Sequence, residues 1–185
     1  MTRLRSAFLP LSLLATVSVP LACGGSSNPP PAVCGELESY TPTSATQVSF
    51  ATDIYPLFIS TTASNGGCSQ TGACHGNPPL PINALGTKTL QFLFSPESPA
   101  MAKAQLLMAS VNASGMQRVS PGSVKNSFLS YKISGKDGLS CISSMCQAGA
   151  SVGSPPCGDP MPNVGTLSAA DRTKILDWIG GGAAD

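Results

Sequence analysis

His75, the only histidine in the chain, follows directly on Cys74, and Cys68 stands upstream in the run Cys68-Ser69-Gln70-Thr71-Gly72-Ala73-Cys74-His75-Gly76. The order Cys…Cys-His is that of covalent haem attachment. Two sulfurs form thioethers with the porphyrin edge, and the side chain after the second cysteine turns under the iron as a ligand. Five residues separate the two cysteines here, where the usual number is two, so the loop must bulge outward to bring both sulfurs to one ring edge. Gly72 makes such a bulge easier. The same residues allow other chemistries. A Cys68–Cys74 disulfide would close a small loop and leave His75 as an ordinary imidazole. A zinc site fits less well, because Cys74 and His75 are adjacent and the other cysteines of an exported chain are expected to be oxidised.

A haem held by His75 needs a ligand on its other face. With one histidine in the sequence, ligation by two histidines within the chain is excluded, as is a distal catalytic histidine of the peroxidase kind. Methionine remains, and a His/Met pair raises the reduction potential of the iron. Met161 lies in Gly158-Asp159-Pro160-Met161-Pro162-Asn163, a stiff loop between prolines. Met101 and Met108 lie on a periodic helical stretch and read as core filler. With both axial positions filled the iron has no open site for substrate, so the expected role is electron carriage rather than catalysis. Arg118 could pair with a haem propionate, but a solvated or capping arginine explains it at least as well. No nucleophile elbow or oxyanion motif accompanies His75.

These residues need a compartment and a scaffold. Arg3 and Arg5 precede an apolar run from Phe8 to Val19 and then Pro20-Leu21-Ala22-Cys23, the layout of a signal peptide over residues 1–22 with Cys23 as a lipidation site. Several acyl chains on Cys23 would make a durable membrane anchor. Residues 23–46, rich in Ser, Pro, Gly and Thr, read as a tether that lifts the domain off the membrane. Cys34 is the exception, since a disulfide from it would pin this segment to the domain. Export favours disulfides. With Cys23 on lipid and Cys68 and Cys74 on haem, Cys34, Cys141, Cys146 and Cys157 remain to form two structural disulfides, in any of three pairings. Without haem three disulfides are possible, so parity does not choose. The formal net charge of +1 carries no nucleic-acid footprint.

Over residues 47–185 the apolar pattern is helical. Phe50, Ile54, Leu57 and Phe58 share one face, with Pro56 as either a kink or a first-turn residue. A second candidate spans Thr87 to Phe94. A third starts at Ser98 as cap with Pro99 in its first turn, and carries Ala104, Leu107, Met108 and Val111 on one face. The turn Arg118-Val119-Ser120-Pro121-Gly122 precedes a short run near Val124 to Ile133. Residues 134 to 160 hold three cysteines with no period of either kind and read as an irregular insertion. Ser168 and Asp171 form a shortened capping box for a last helix with Arg172, Ile175, Leu176 and Ile179 on one face, stopped by Gly180-Gly181-Gly182. No strand alternation stands out, so the class is all-α, with four to five short helices and long loops.

In this order, Asp53-Ile54-Tyr55-Pro56-Leu57-Phe58, Cys…Cys-His-Gly, Arg-Val-x-Pro-Gly before Asn126-Ser127-Phe128-Leu129, a Met-Pro loop and a closing Leu-Ser…Ile-x-x-Trp-Ile-x-x-Gly-Ala helix, the chain resembles the cytochrome c-like domains of planctomycete and myxobacterial surface lipoproteins. The resemblance runs from about Val48 to Ala183. It implies a cytochrome c-like fold with one haem c, thioethers at Cys68 and Cys74, and His75 and Met161 as axial ligands. It also implies first and last helices that cross beside the haem with Trp178 in the core. Redox proteins would be the partners, at the periplasm or outer membrane of a bacterial envelope. The alternative is a disulfide-stapled surface lipoprotein module on the same scaffold without haem, acting in protein or glycan interaction.

Overall fold

The computed structural model describes residues 31–44, 47–59, 98–147, 156–162 and 167–185. The signal segment, Cys23, the run from Cys68 to Gly76 and the helix expected over Thr87 to Phe94 lie outside the described residues. The described residues form six α-helices: α1 Ala32–Glu38, α2 Tyr55–Ile59, α3 Pro99–Leu106, α4 Phe128–Lys132, α5 Gly135–Cys141 and α6 Ala169–Gly180. A π-helical turn, Phe50–Ile54, leads into α2, and 3₁₀ turns occupy Val124–Asn126 and Ser143–Met145. Among the described residues, β pairing is confined to isolated bridges such as Ala113 with Cys146. None of their helices is long and apolar enough to cross a membrane. The all-α class stands, with α1 and α5 beyond the helices that the pattern had suggested.

Local chemistry explains most of the boundaries. Proline has no amide hydrogen, so Pro56 cannot donate to the carbonyl four residues back. The ladder widens just before it, with the Tyr55 amide donating to the Phe50 carbonyl, and α2 then starts with Pro56 in its first turn. Ser98 caps α3 by accepting from the Met101 amide at 3.3 Å. Ser168 caps α6 by accepting from the Asp171 amide at 3.0 Å and donates its own hydroxyl to the Asp171 carboxylate at 2.7 Å. In the Arg118–Gly122 turn, Gly122 takes φ +78°, a left-handed conformation open chiefly to glycine, and its amide donates to the Ile179 carbonyl at 2.8 Å near the end of α6.

The π turn packs against both α6 and α3, while α4 packs on α5 and α5 on α1. Phe50 lies against Trp178 with ring centroids 5.0 Å apart, both rings fully buried. The indole nitrogen of Trp178 donates to the Ala184 carbonyl at 2.8 Å, which satisfies its one polar atom inside the core. Ile54, Phe58, Leu106, Ile175, Leu176 and Ile179 complete the centre of this cluster. Truncating a ring such as Phe50 or Trp178 in such a site costs about 3–5 kcal/mol.

Three expectations give way here. On α3 the inward residues are Ala102 and Leu106; of the expected face, Ala104 is exposed, Leu107 at the C-cap packs partly buried on the core, and Met108 and Val111, beyond the helix, lie at 55% and 38% exposure. Met101, also at 55%, is not core filler either. The stretch is apolar nearly all round, so periodicity does not select the buried face. Second, the expected irregular insertion contains α5 and the 3₁₀ turn Ser143–Met145. Gly138 explains why a helix can sit there: a Cβ on it would lie 2.6 Å from the Tyr131 carbonyl oxygen. Only glycine lets α5 lie this close to α4, a tertiary condition that leaves no periodic trace. Third, the segment read as a tether joins the fold from Ala32 to Ser44. Leu37 is fully buried, Cys34 is bonded to Cys141, and the Tyr40 hydroxyl and the Thr43 and Ser44 amides donate to Asp177.

Candidate functional site

The four cysteines expected in structural disulfides are paired as Cys34–Cys141 and Cys146–Cys157. The first joins α1 to α5 across 107 residues of sequence, and the second closes an 11-residue separation at the foot of the Met161 loop. With these four consumed by one another, Cys68 and Cys74 are left to each other or to a ligand, apart from Cys23. Those two cysteines and His75 lie outside the described residues. Among the described residues no group of three or more His, Cys, Asp or Glu side chains could hold a metal ion.

Met161 is held by its backbone. Its amide donates to the Lys132 carbonyl at 2.8 Å, and its side chain is half-buried against the core. It differs in this from Met116, which is 6% exposed and part of the core cluster. Upstream, Cys157 and Gly158 both take left-handed backbone, at φ +66° and +70°. Glycine adopts that region freely, but for Cys157 it costs roughly 1 kcal/mol. Lys132 opposes this cost. Its side chain is buried in α4, and its ammonium donates to the Cys157 carbonyl at 3.1 Å and to the Asp159 carbonyl, while standing 5.6 Å from the centre of the Phe128 ring. Sequence reasoning passed over Lys132. Its one visible signal is its place in Phe128-Leu129-Ser130-Tyr131-Lys132-Ile133, where the surrounding residues are buried.

Arg118 acts as a cap. It is 8% exposed and donates from Nη1 to the Gln105 carbonyl at 2.7 Å, at the C-terminal end of α3, where a cation suits the helix dipole. Burial lowers its pKa. Another electrostatic cluster lies at α6. Asp177, in α6, accepts from the Tyr40 hydroxyl, the Thr43 amide and the Thr43 hydroxyl, each at 2.8 Å, and from the Ser44 amide at 3.1 Å. Burial pushes its pKa up, but these donors outweigh burial and hold it below the ordinary carboxylate value. Tyr40 is raised well above the ordinary tyrosine value, by burial first and then by its bond to the Asp177 carboxylate. Next to this cluster an open groove of about 530 Å³ is lined by Gln47, Val48, Asp53, Ala170 and Lys174 among others, and it contains none of the residues expected to bind a cofactor.

The arrangement can therefore present one thioether from a clamped loop beside a core locked by two disulfides. Toward a haem, the described residues offer one soft donor, the Met161 thioether, and the Cys34–Cys141 and Cys146–Cys157 pairings use neither Cys68 nor Cys74. No family model, curated protein or solved structure matches the chain.

Proposed function

We propose that the protein is a lipid-anchored electron carrier of the bacterial cell envelope. It would hold one haem c through Cys68 and Cys74, with His75 and Met161 as axial ligands and Cys23 carrying the anchor. The observation that supports this reading is the state of Met161: its amide is bonded to the Lys132 carbonyl, and its side chain lies half-buried at the edge of the core. When bound, the haem supplies a one-electron iron couple. The chain's part would be to supply the iron ligands at His75 and Met161 and to attach the ring covalently at Cys68 and Cys74. Redox proteins are the partners this role requires.

The test is expression of the mature domain with haem-attachment machinery, followed by intact mass and absorption spectroscopy. The expected product carries one covalent haem. Met161→Ala should then lose the absorption of a thioether-ligated ferric haem and lower the reduction potential, because the soft ligand that favours ferrous iron is gone. Met108→Ala, at an exposed position, should leave both unchanged. A chain that carries no haem and lacks two hydrogens at Cys68 and Cys74 overturns the reading. That outcome favours the disulfide-stapled module, which the oxidised state of the other four cysteines makes the second reading.

A further inference from the structure

Lys132 touches the Met161 loop at three alternate residues. Its ammonium binds the carbonyls of Cys157 and Asp159, and its own carbonyl accepts from the Met161 amide. The side chain is 8% exposed. A buried ammonium is costly to desolvate, and a leucine or methionine of similar volume would fill this place in α4 at lower cost. What an apolar residue cannot do is bind two carbonyls. Cys157 and Gly158 both stand in left-handed backbone, so the chain reverses sharply here, and Lys132 bonds to the carbonyls on either side of Gly158. The Cys146–Cys157 disulfide fixes the same point from the other direction. That disulfide is itself tied down, since Cys146 bridges to Ala113 and the Gln147 amide donates to the Asn112 carbonyl at 3.0 Å.

We infer that Lys132 is a positioning residue for Met161: by holding the loop it sets the place and direction of the thioether that would ligate iron, and so favours the ferrous state. The inference rests on the haem reading of the protein. Lys132 touches no iron and acts only through the loop. It therefore governs two quantities that a purely structural lysine leaves alone, the occupancy of the methionine ligand and the reduction potential.

The experiment uses the haem-loaded protein, its Lys132→Met variant, which keeps volume and the backbone acceptor but loses the donors and the charge, and Lys132→Arg, which restores both. Covalent haem by mass, Trp178 fluorescence and a thermal melt report attachment and folding. The thioether–iron absorption and the midpoint potential report the ligand. Lys132→Met is expected to retain haem, lose most of the thioether absorption and fall in potential, and Lys132→Arg to recover most of both. A Lys132→Met protein with the parent's absorption and potential, whatever its melting temperature, overturns the inference. If Lys132→Met does not fold, Lys132→Leu, which also lacks donors, is read in the same way. A parent chain that takes up no haem overturns the proposed function instead. The clamp is then read from peroxide oxidation of Met161 by peptide mass, which should be slower than that of Met101 in the parent and several-fold faster in Lys132→Met. Equal Met161 rates in parent and variant would show that Lys132 holds nothing.

Discussion

Asp177 is 6% exposed and its carboxylate is bound by donors from Tyr40, Thr43 and Ser44, so one side chain of α6 holds residues 40–44 in place. Hydrogen bonds to a buried charge are worth about 1.5–3 kcal/mol each, and donors left without an acceptor cost about 1–3 kcal/mol. The segment can peel away and rehydrate its donors, which caps the loss. Asp177→Ala is therefore expected to cost about 3 kcal/mol and lower Tm by roughly 10 °C, and Asp177→Asn about half as much, measured by urea and thermal denaturation. The pH dependence follows from the two shifts. The folded pKa of Asp177 lies below the ordinary 3.8, so its contribution is complete above that value and is lost as pH falls through the folded pKa. Tyr40 is raised above 10.0, so its contribution is complete below that value and is lost as pH climbs toward the folded pKa. Asp177→Asn should flatten the acid limb of the stability curve, and Tyr40→Phe the alkaline limb. Limbs unchanged in both variants would show that this cluster does not set the pH range. None of this was legible in the sequence, because residues 40 and 177 are joined only by the fold.

Between elements, close approach is set by two glycines that meet different neighbours. A Cβ on Gly138 would stand 2.6 Å from both the Tyr131 carbonyl oxygen and the Ser134 Cβ, while one on Gly180 would stand 2.7 Å from the Pro42 Cγ. Alanine gains about 1 kcal/mol over glycine in a helix, and overpacking costs about 1–3 kcal/mol, so the neighbour's freedom to move decides the sign. At Gly138 backbone must give way. Gly138→Ala is therefore expected to destabilise by about 2 kcal/mol, and Gly180→Ala, where only the ring of a segment at the surface must shift, by less than about 1 kcal/mol, both from denaturant melts. Equal losses would mean that the α4–α5 approach is not tighter than the packing of Pro42. The same contrast shows what was legible at this scale. The π turn with α2, the 124–133 run and α6 carry an apolar stripe or a cap, and these were legible as helices. So was α3, but Ala102 with Leu106 and Ala104 with Met108 offer equivalent stripes, and the choice between them is made by what packs there. Neither α1 nor α5 has a stripe; a glycine contact and a disulfide hold α5 in place, and a sequence encodes those only as isolated residues.

At the scale of the whole chain the cysteines could be counted from the sequence, but the choice among three pairings could not, since connectivity depends on which Cα atoms the fold brings together. Cys34 and Cys141 stand 5.6 Å apart at Cα, and Cys146 and Cys157 4.9 Å. Its prolines single out Met161 in the sequence, whereas nothing there marks the lysine that bonds to its loop. The first disulfide also changes the reach of the proposed anchor. If Cys23 carries lipid, the start of α1 at Ala32 limits the reach from the anchor to at most roughly 30 Å, against roughly 80 Å for a tether running to residue 46. A partner would have to meet the carrier close to the membrane. The two bridges should also differ in what they contribute. In the chain-entropy account the separation of 107 residues is worth about 4–5 kcal/mol and that of 11 residues about 3 kcal/mol. Cys34→Ser/Cys141→Ser is thus expected to lose more global stability than Cys146→Ser/Cys157→Ser. The second pair loosens the Met161 loop instead, and in the haem-loaded protein it should weaken thioether ligation well below the temperature at which the core melts. Thermal melts followed in parallel by Trp178 fluorescence and by the thioether–iron absorption would separate the effects. If the Cys146/Cys157 variant loses both signals together at one temperature, the loop is part of the cooperative core and its clamp has no independent role.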